Sequence, residues 1–205
     1  MRKERWQMRR FARIAAALAC VGVAAFVWWR AVKDDARFVA TRARLGEVAA
    51  MRRLGMMYLT GAGLDKDESE AARWFLKAAS RGDSVAQFNI GAMFFDGVGV
   101  AKDLREAARW YGMAAEQGDD EAAFNLALMH ARGDHFAQDY ALAAGMIAPL
   151  AEKGIAEAQF MMGLMSLNGF GVAQDRESAL AWFAKAAAQG HDKAMAALAQ
   201  LQPPQ

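Results

Sequence analysis

Apolar and polar positions recur along most of this chain with a period of 36 residues. Four copies align without a gap between residues 49 and 192, and they begin AAMRRLGMMYLTGAGLDKD, VAQFNIGAMFFDGVGVAKD, EAAFNLALMHARGDHFAQD and EAQFMMGLMSLNGFGVAQD. In the second copy Ala86, Ile90, Met93 and Phe94 have the spacing of one helix face. The pattern predicts two helices per copy, helix A and then helix B, and therefore an all-α repeat fold.

Glycine and aspartate mark the predicted ends of the helices. A glycine closes each helix A, as a left-handed C-terminal cap requires; these are Gly61, Gly97, Gly133 and Gly169. An aspartate stands where helix B needs an N-cap; these are Asp67, Asp103, Asp139 and Asp175. Two of them, Asp67 with Glu70 and Asp103 with Glu106, have capping-box spacing. Helix B is predicted to end at Gly82, Gly118, Gly154 and Gly190.

Small and bulky residues also repeat, which predicts how the helices pack. A small residue occupies the middle of each helix A; these are Gly55, Gly91, Ala127 and Gly163. Glycine costs about 1 kcal/mol relative to alanine there, which is tolerable if another helix crosses closely. Aromatic pairs on helix B fill the larger spaces, at Trp74-Phe75, Trp110-Tyr111 and Trp182-Phe183. Methionine recurs at 57, 93, 129 and 165, which we interpret as a core stripe.

The same alignment extends half a repeat beyond each end of the array. Shifted by one period, Phe38 falls at the tryptophan position of helix B, and Ala194 and Leu198 fall at apolar positions of helix A. Such end helices cover core surface that would otherwise be open. The predicted division is a basic flank at 1–13, a transmembrane or signal helix at 14–30, an N-terminal capping helix at 34–47, repeats at 49–84, 85–120, 121–156 and 157–192, and a C-terminal capping helix and tail at 193–205.

Charge separates the N-terminal segment from the repeats. Residues 1–45 carry 11 Lys/Arg and 3 Asp/Glu, a net +8, whereas residues 46–205 carry the other 14 against 20, a net −6. The apolar run at 14–29 follows the basic flank and is about 24 Å long as a helix. The pattern predicts a retained signal-anchor helix with residues 1–13 in the cytoplasm and the rest exported. Cleavage after Val23-Ala24-Ala25 and lipid modification at Cys20 remain alternatives.

The signature A-x-x-x-L-G-x-x-Y, G-x-G-V-x-x-D and A-x-x-W-F-x-x-A-A-x-x-G resembles the Sel-one-like repeat family, a tetratricopeptide relative. The resemblance covers residues 49–192, about 70% of the chain. It implies a right-handed α-solenoid of antiparallel helix pairs. It also implies a protein-binding adaptor of the kind that bacteria often export.

In the tetratricopeptide geometry, helix A lines the concave face and would hold a protein or peptide partner. The resemblance therefore implies a partner-binding set consisting of Arg52, Met56, Phe88, Asn89, Phe95, Phe124, Asn125, Leu128, Arg132, Phe160, Leu164 and Asn168. Asn89 and Asn125 occupy one matching position and are candidates to hydrogen-bond an extended peptide backbone. The phenylalanines at 88, 124 and 160 have a second interpretation, because an aromatic residue at this position also packs between repeats.

The third copy departs from the pattern. Met146-Ile147 replaces the aromatic pair, His135 replaces the loop glycine, and Pro149 enters helix B. Proline removes a helical hydrogen bond, so a kink is expected. The change either shapes a binding site or reflects drift in a tolerated repeat, and both interpretations stay open here.

Residues with catalytic or metal-binding chemistry are sparse. His130, Asp134, His135 and Asp139 have the types of a zinc or general-base site, but packing, loop and N-cap roles explain them more simply. Asp119-Asp120-Glu121 follows helix B and is interpreted as a solvated turn. Motifs of hydrolases, metalloproteases and P-loop proteins are absent from the sequence, so no cofactor is expected.

These observations predict a non-enzymatic interaction scaffold. It would be monomeric, anchored in the bacterial inner membrane by its N-terminal helix, with the repeats in the periplasm; a secreted form after signal cleavage is the alternative. The acidic array argues against nucleic acid as a partner. Two other functions remain open, an inhibitor or immunity protein that neutralises an exported toxin or enzyme, and a periplasmic hydrolase.

Overall fold

The computed structural model describes residues 35–201, which form ten α-helices and no strand. This confirms the all-α prediction for that part of the chain. The helices are α1 at 35–44, α2 Val48–Thr60, α3 Glu68–Ala79, α4 Ser84–Asp96, α5 Leu104–Glu116, α6 Asp120–Arg132, α7 Tyr140–Glu152, α8 Ala156–Asn168, α9 Arg176–Ala188 and α10 Asp192–Leu201.

The predicted transmembrane or signal helix at 14–30 lies outside the described residues. Among residues 35–201, no helix combines the length and the hydropathy that crossing a membrane requires.

The chain divides into two compact units, of which the first ends at Ala78 and the second begins at Ala79. In the first unit, α1 buries Ala36, Val39 and Ala43 along one face. Phe38 points away from that face and is 60% exposed, unlike Trp74, its equivalent by one period, which is 9% exposed. The predicted equivalence of these two positions therefore does not extend to burial.

In the second unit the helices of each repeat run antiparallel, as side-chain and backbone bonds at both ends show. Gln87 near the start of α4 bonds to Gln117 at the end of α5, with 2.6 Å between Oε1 and Nε2. At the other end, the Asp103 amide donates to the Phe94 carbonyl at 2.9 Å. Because the start of one helix meets the end of the next at both places, α4 and α5 are antiparallel.

The backbone bond between the N-cap aspartate and helix A repeats in every copy. The amides of Asp67, Asp103, Asp139 and Asp175 donate to the carbonyls of Tyr58, Phe94, His130 and Ser166 respectively, at 2.8–2.9 Å. The residues that supply these backbone carbonyls differ in each copy, so the bond depends on the backbone path and not on the residue type. It fixes the loop between the two helices of each repeat.

The predicted caps are present in the structure. Helix A ends on glycines with φ between 73° and 78°; these are Gly61, Gly97, Gly133 and Gly169. The Asp103 carboxylate accepts from the amides of Arg105 and Glu106, and Asp175 caps α9 in the same way. Asp139 caps α7 by accepting from the amide of Leu142 alone. The capping-box glutamates make ion pairs with arginines one turn later, Glu70 with Arg73 and Glu106 with Arg109.

Each helix of the second unit packs mainly against its neighbours in sequence, from α4 to α10. The four recurring methionines Met57, Met93, Met129 and Met165 are all buried, which confirms the interpretation as core residues. At the C-terminal end, Ala194 of α10 is buried in one cluster with Phe183 and Ala186 of α9. Leu198 and Leu201 pack against the same cluster.

The third copy retains the helix pair despite its divergence. Helix α7 runs through Pro149 and ends at Glu152. Ala127 and Ile147 replace the glycine and aromatic residue of the other copies and lie in one core cluster. His135 takes the left-handed conformation of the glycine it replaces, with φ of 71°.

Candidate functional site

The twelve predicted partner-binding residues all lie on the four A helices, α2, α4, α6 and α8, and every one is at least partly exposed. Arg52 and Met56 belong to the first compact unit. The other ten belong to the second, where two pockets form at the surface of α4 and α6.

The first pocket, here called the Arg132 pocket, has a volume of about 140 Å³. It is lined by Phe95, Tyr111, Asn125, Leu128, Met129 and Arg132. Four of these six residues belong to the predicted set, and Tyr111 and Met129 do not. Burial, together with the nearby charge of Asp96, raises the pKa of Tyr111 to about 12, so its phenol stays neutral at physiological pH.

The second pocket, here called the Phe124 pocket, is larger, with a volume of about 310 Å³. It is lined by Phe88, Asp120, Glu121, Phe124, Asn125, Ile155 and Glu157. The two phenylalanines and Ile155 supply its apolar walls. The sequence analysis identified Phe88, Phe124 and Asn125 but missed Ile155 and all three carboxylates.

Asp120 and Glu121 form the first turn of α6, so their interpretation as a solvated turn between helices was wrong. Asp119, the residue before them, caps the helix by accepting from the Ala122 amide at 2.9 Å. Because the helix begins directly after this cap, Asp120 and Glu121 lie in its first turn, where the helix macrodipole favours negative charge. A run of three acidic residues thus contains one structural side chain and two that line the pocket.

The three carboxylates of the Phe124 pocket differ in their partners. Asp120 Oδ1 pairs with Lys153 Nζ at 2.5 Å, and Glu157 Oε2 lies 2.8 Å from His191 Nε2. The Glu121 carboxylate makes no ion pair or hydrogen bond within residues 35–201. Lysine therefore offsets one of the three negative charges.

Asn125 lies between the two pockets and lines both of them. Its side-chain amide makes no hydrogen bond inside the described part of the protein, so it can serve a ligand. Asn89 differs, because its Nδ2 donates to the Val85 carbonyl of its own helix at 2.6 Å. The two asparagines therefore differ in their surroundings, since one N–H of the Asn89 amide is engaged within α4 and the Asn125 amide is not.

The phenylalanines at 88, 124 and 160 differ in how far they pack between helices and how far they line a pocket. Phe88 lies 5.8 Å from the ring of Tyr111, and it also lines the Phe124 pocket. Phe124 packs against the core formed by α6, α7 and α8 while its other side faces that pocket. Phe160 is mainly a packing residue, since it stacks on His191 at 4.7 Å and contacts Phe183.

Leu164 and Asn168 on α8 also make contacts within the protein. Leu164 packs against the core formed by α9 and α10. The Asn168 side chain donates to the Leu164 carbonyl at 2.8 Å. The surface that the two pockets define is therefore centred on α4 and α6.

The two histidines of the third copy both pack against the ring of Phe136. His130 stacks on Phe136 at 4.1 Å, and His135 lies 5.0 Å from the same ring. Asp139 caps α7 by accepting from the Leu142 amide. Between residues 35 and 201, no group of three or more His, Cys, Asp or Glu side chains is arranged to hold a metal ion.

Helix pairs that repeat every 36 residues and pack against their neighbours in sequence define the class of helical-repeat proteins. The family model described as Sel1 repeat matches residues 48–83, 84–119, 120–154 and 156–191. The chain belongs to this family, and Sel1 repeats mediate protein–protein interactions.

Two solved structures resemble the chain over most of its length. One is a protective antigen of uropathogenic Escherichia coli strains with an SLR fold, which is 31% identical with a TM-score of 0.77 over 81% of this chain. The match spans 36% of the antigen, about a third of its length. The other is a Sel1 repeat protein from Oxalobacter formigenes, which is 30% identical with a TM-score of 0.76 and covers 80% of this chain and 68% of its own. No functionally curated protein matches the sequence.

Proposed function

We propose that this protein is a non-enzymatic scaffold that binds a segment of a protein partner on the surface formed by α4 and α6. The observation that carries the proposal is the pair of adjoining pockets that share Asn125. Each has apolar walls, and together they offer two sites for side chains with one unpaired amide between them. An extended segment can insert a side chain into each pocket and hydrogen-bond Asn125 with its backbone.

We further propose that the scaffold is a monomer anchored in the bacterial inner membrane, with its repeats in the periplasm. The anchor and its orientation are supported by the sequence alone, namely the basic flank at 1–13 followed by the uninterrupted apolar run at 14–29. Anchoring would hold the binding surface near the membrane, where an exported partner could be recruited.

The pocket surface is tested by comparing two leucines that undergo the same substitution. Leu128 lines the Arg132 pocket, and Leu142 lies on α7 and is 46% exposed. A partner is first captured by cross-linking to the full-length chain in bacterial cells and is then purified. Leu128→Ala is expected to weaken its binding by about tenfold or more, because truncating a central anchor commonly costs about 2 kcal/mol.

Leu142→Ala is the matched control and should leave the affinity within about twofold. Both variants are first checked for unchanged helix content by circular dichroism. Loss of binding in Leu142→Ala with full binding in Leu128→Ala would place the partner on helix B and would refute the proposed surface.

A further inference from the structure

We propose that the Phe124 pocket selects a partner segment in which an apolar side chain is flanked by lysine or arginine. This inference rests on the proposed function, because it specifies the chemistry of the segment bound at the same surface. It goes further in assigning a charge to that segment and in giving roles to Glu121 and Glu157.

The size of the pocket sets the kind of group it can hold. A volume of about 310 Å³ is at the lower end of the range for small-molecule sites, about 300–1,000 Å³. It suits one large side chain or two small ones better than a cofactor. Phe88, Phe124 and Ile155 supply apolar contact on the walls, so the inserted side chain is apolar.

The charge around the pocket sets what flanks the inserted side chain. Asp120, Glu121 and Glu157 all line the pocket, and one lysine, Lys153, pairs with Asp120. His191 contacts Glu157 and carries a charge only when protonated. With His191 neutral, the group has a net charge of −2, since three carboxylates face one ammonium group. A basic flank is attracted to this rim and an acidic flank is repelled by it.

The neighbouring Arg132 pocket predicts which end of the bound segment carries its basic residues. Arg132 lies two helical turns beyond Asn125 on α6, and it makes no ion pair within the described residues. Acidic groups line the pocket at the start of α6 and a cation lines the one near its end. A segment held by Asn125 would therefore place its basic residues towards Glu121 and away from Arg132.

The experiment measures binding of three fluorescein-labelled synthetic peptides to the full-length chain by fluorescence anisotropy. The chain is kept in a nonionic detergent because of the apolar run at 14–29. The first peptide has one phenylalanine between two pairs of arginines, the second has glutamates in place of the arginines, and the third has alanine in place of the phenylalanine. The first is expected to bind at least about tenfold more tightly than either of the others.

Two charge-matched double variants test the residues. Glu121→Gln with Glu157→Gln removes two charges from the rim, and Glu116→Gln with Glu152→Gln removes two exposed charges at the ends of α5 and α7. The rim variant should weaken binding of the arginine peptide at least about fivefold, and the control variant less than twofold. The loss should shrink at high salt, because exposed charges are screened.

Phe124→Ala separates failure of this inference from failure of the proposed function. If it weakens the phenylalanine peptides of both charges equally and the rim variant has no effect, the surface binds peptides but the charge selection is refuted. If it changes the affinity of no peptide, the surface and the charge selection are both refuted.

A final arm tests whether the chain supplies its own occupant. Residues 1–13 contain Trp6 and Phe11 among six basic side chains, which is the proposed chemistry. If the full-length chain binds no peptide but a variant without residues 1–13 binds the arginine peptide, the pocket is filled by this segment. That outcome would overturn the proposal of a separate partner.

Discussion

The mid-helix glycines show why a single atom matters in this fold. A Cβ added to Gly163 would lie 2.5 Å from two ring carbons of Phe183, and one added to Gly91 would lie 2.9 Å from the ring of Tyr111. Phe183 is fully buried and cannot swing away. The close approach predicted from the sequence is therefore made by an aromatic ring of helix B, set directly on the backbone of helix A.

This contact predicts opposite effects for two Gly→Ala substitutions. Gly163→Ala should destabilise the protein by about 1–2 kcal/mol, because overpacking costs about 1–3 kcal/mol and better helix propensity returns only part of it. Gly145→Ala, in the same unit, should stabilise it by about 0.5–1 kcal/mol, because Gly145 is exposed and nothing lies within 4 Å of an added Cβ. Thermal unfolding followed by circular dichroism measures both changes. Equal effects of the two substitutions would show that the ring does not sit on Gly163.

In the third copy both partners of this contact, the glycine and the aromatic residue, are replaced together. Where the glycine becomes Ala127, the facing aromatic residue becomes Ile147, and both are fully buried. A methyl group is added on one helix while a ring is exchanged for a smaller side chain on the other. The divergence that the sequence left open between drift and function is, at these two positions, a compensated change in packing.

At the scale of the helices, paired glutamines tie the two helices of a repeat together. Gln87 is buried, its Nε2 donates to the Ala79 carbonyl at 3.2 Å, and its Oε1 accepts from Gln117 at 2.6 Å. Gln159 and Gln189 repeat the arrangement in the fourth copy, with 2.8 Å between Oε1 and Nε2. A buried amide with both of its ends bonded fixes the angle of the helix ends without an unpaired polar group.

The glutamine pair predicts coupled mutational effects. Gln117→Ala should cost about 1–3 kcal/mol, because it leaves the buried Gln87 oxygen without its donor. In a Gln87→Met background the same change should cost much less, since no buried acceptor remains; methionine is buried at the equivalent position, Met51, in the first copy. Denaturant unfolding of the four proteins completes the cycle. Additive costs would mean that the two side chains do not interact.

The whole molecule combines a basic, apolar N-terminal segment with acidic repeats. The net +8 of residues 1–45 and the net −6 of residues 46–205 suit different surroundings, which is the basis of the proposed export. A reporter that is active only outside the cytoplasm, fused after Gln205, should be active in bacterial cells. The matched control replaces Arg2, Lys3, Arg5, Arg9 and Arg10 with glutamine, which should lower that activity. Activity of a cytoplasm-only reporter in the same place would show that the orientation is the reverse.

Much of the fold was predictable because the repeat itself carries the information. Each copy restates the same helix spacing, the same glycine caps and the same N-cap aspartates, so local signals reinforce one another four times. The burial of Met57, Met93, Met129 and Met165 followed from that periodicity. Leu128 and Asn125, which the resemblance implied as partner-binding residues, line the Arg132 pocket, and their role in binding stays a prediction.

The sequence by itself thus determined the helices, their caps and the repeat to which the chain belongs, because these depend on residues close together in the chain. Only the tertiary structure decided which residues of that face form pockets. Asp120, Glu121 and Glu157 come from two helices more than thirty residues apart, and a repeat alignment shows them only as surface charges. Asn89 and Asn125 match in the alignment, yet one bonds to its own helix and the other remains available. The pockets arise from contacts between neighbouring repeats, which exist only once the chain has folded, and the bond of Asn89 depends on the rotamer that its side chain adopts on the folded helix.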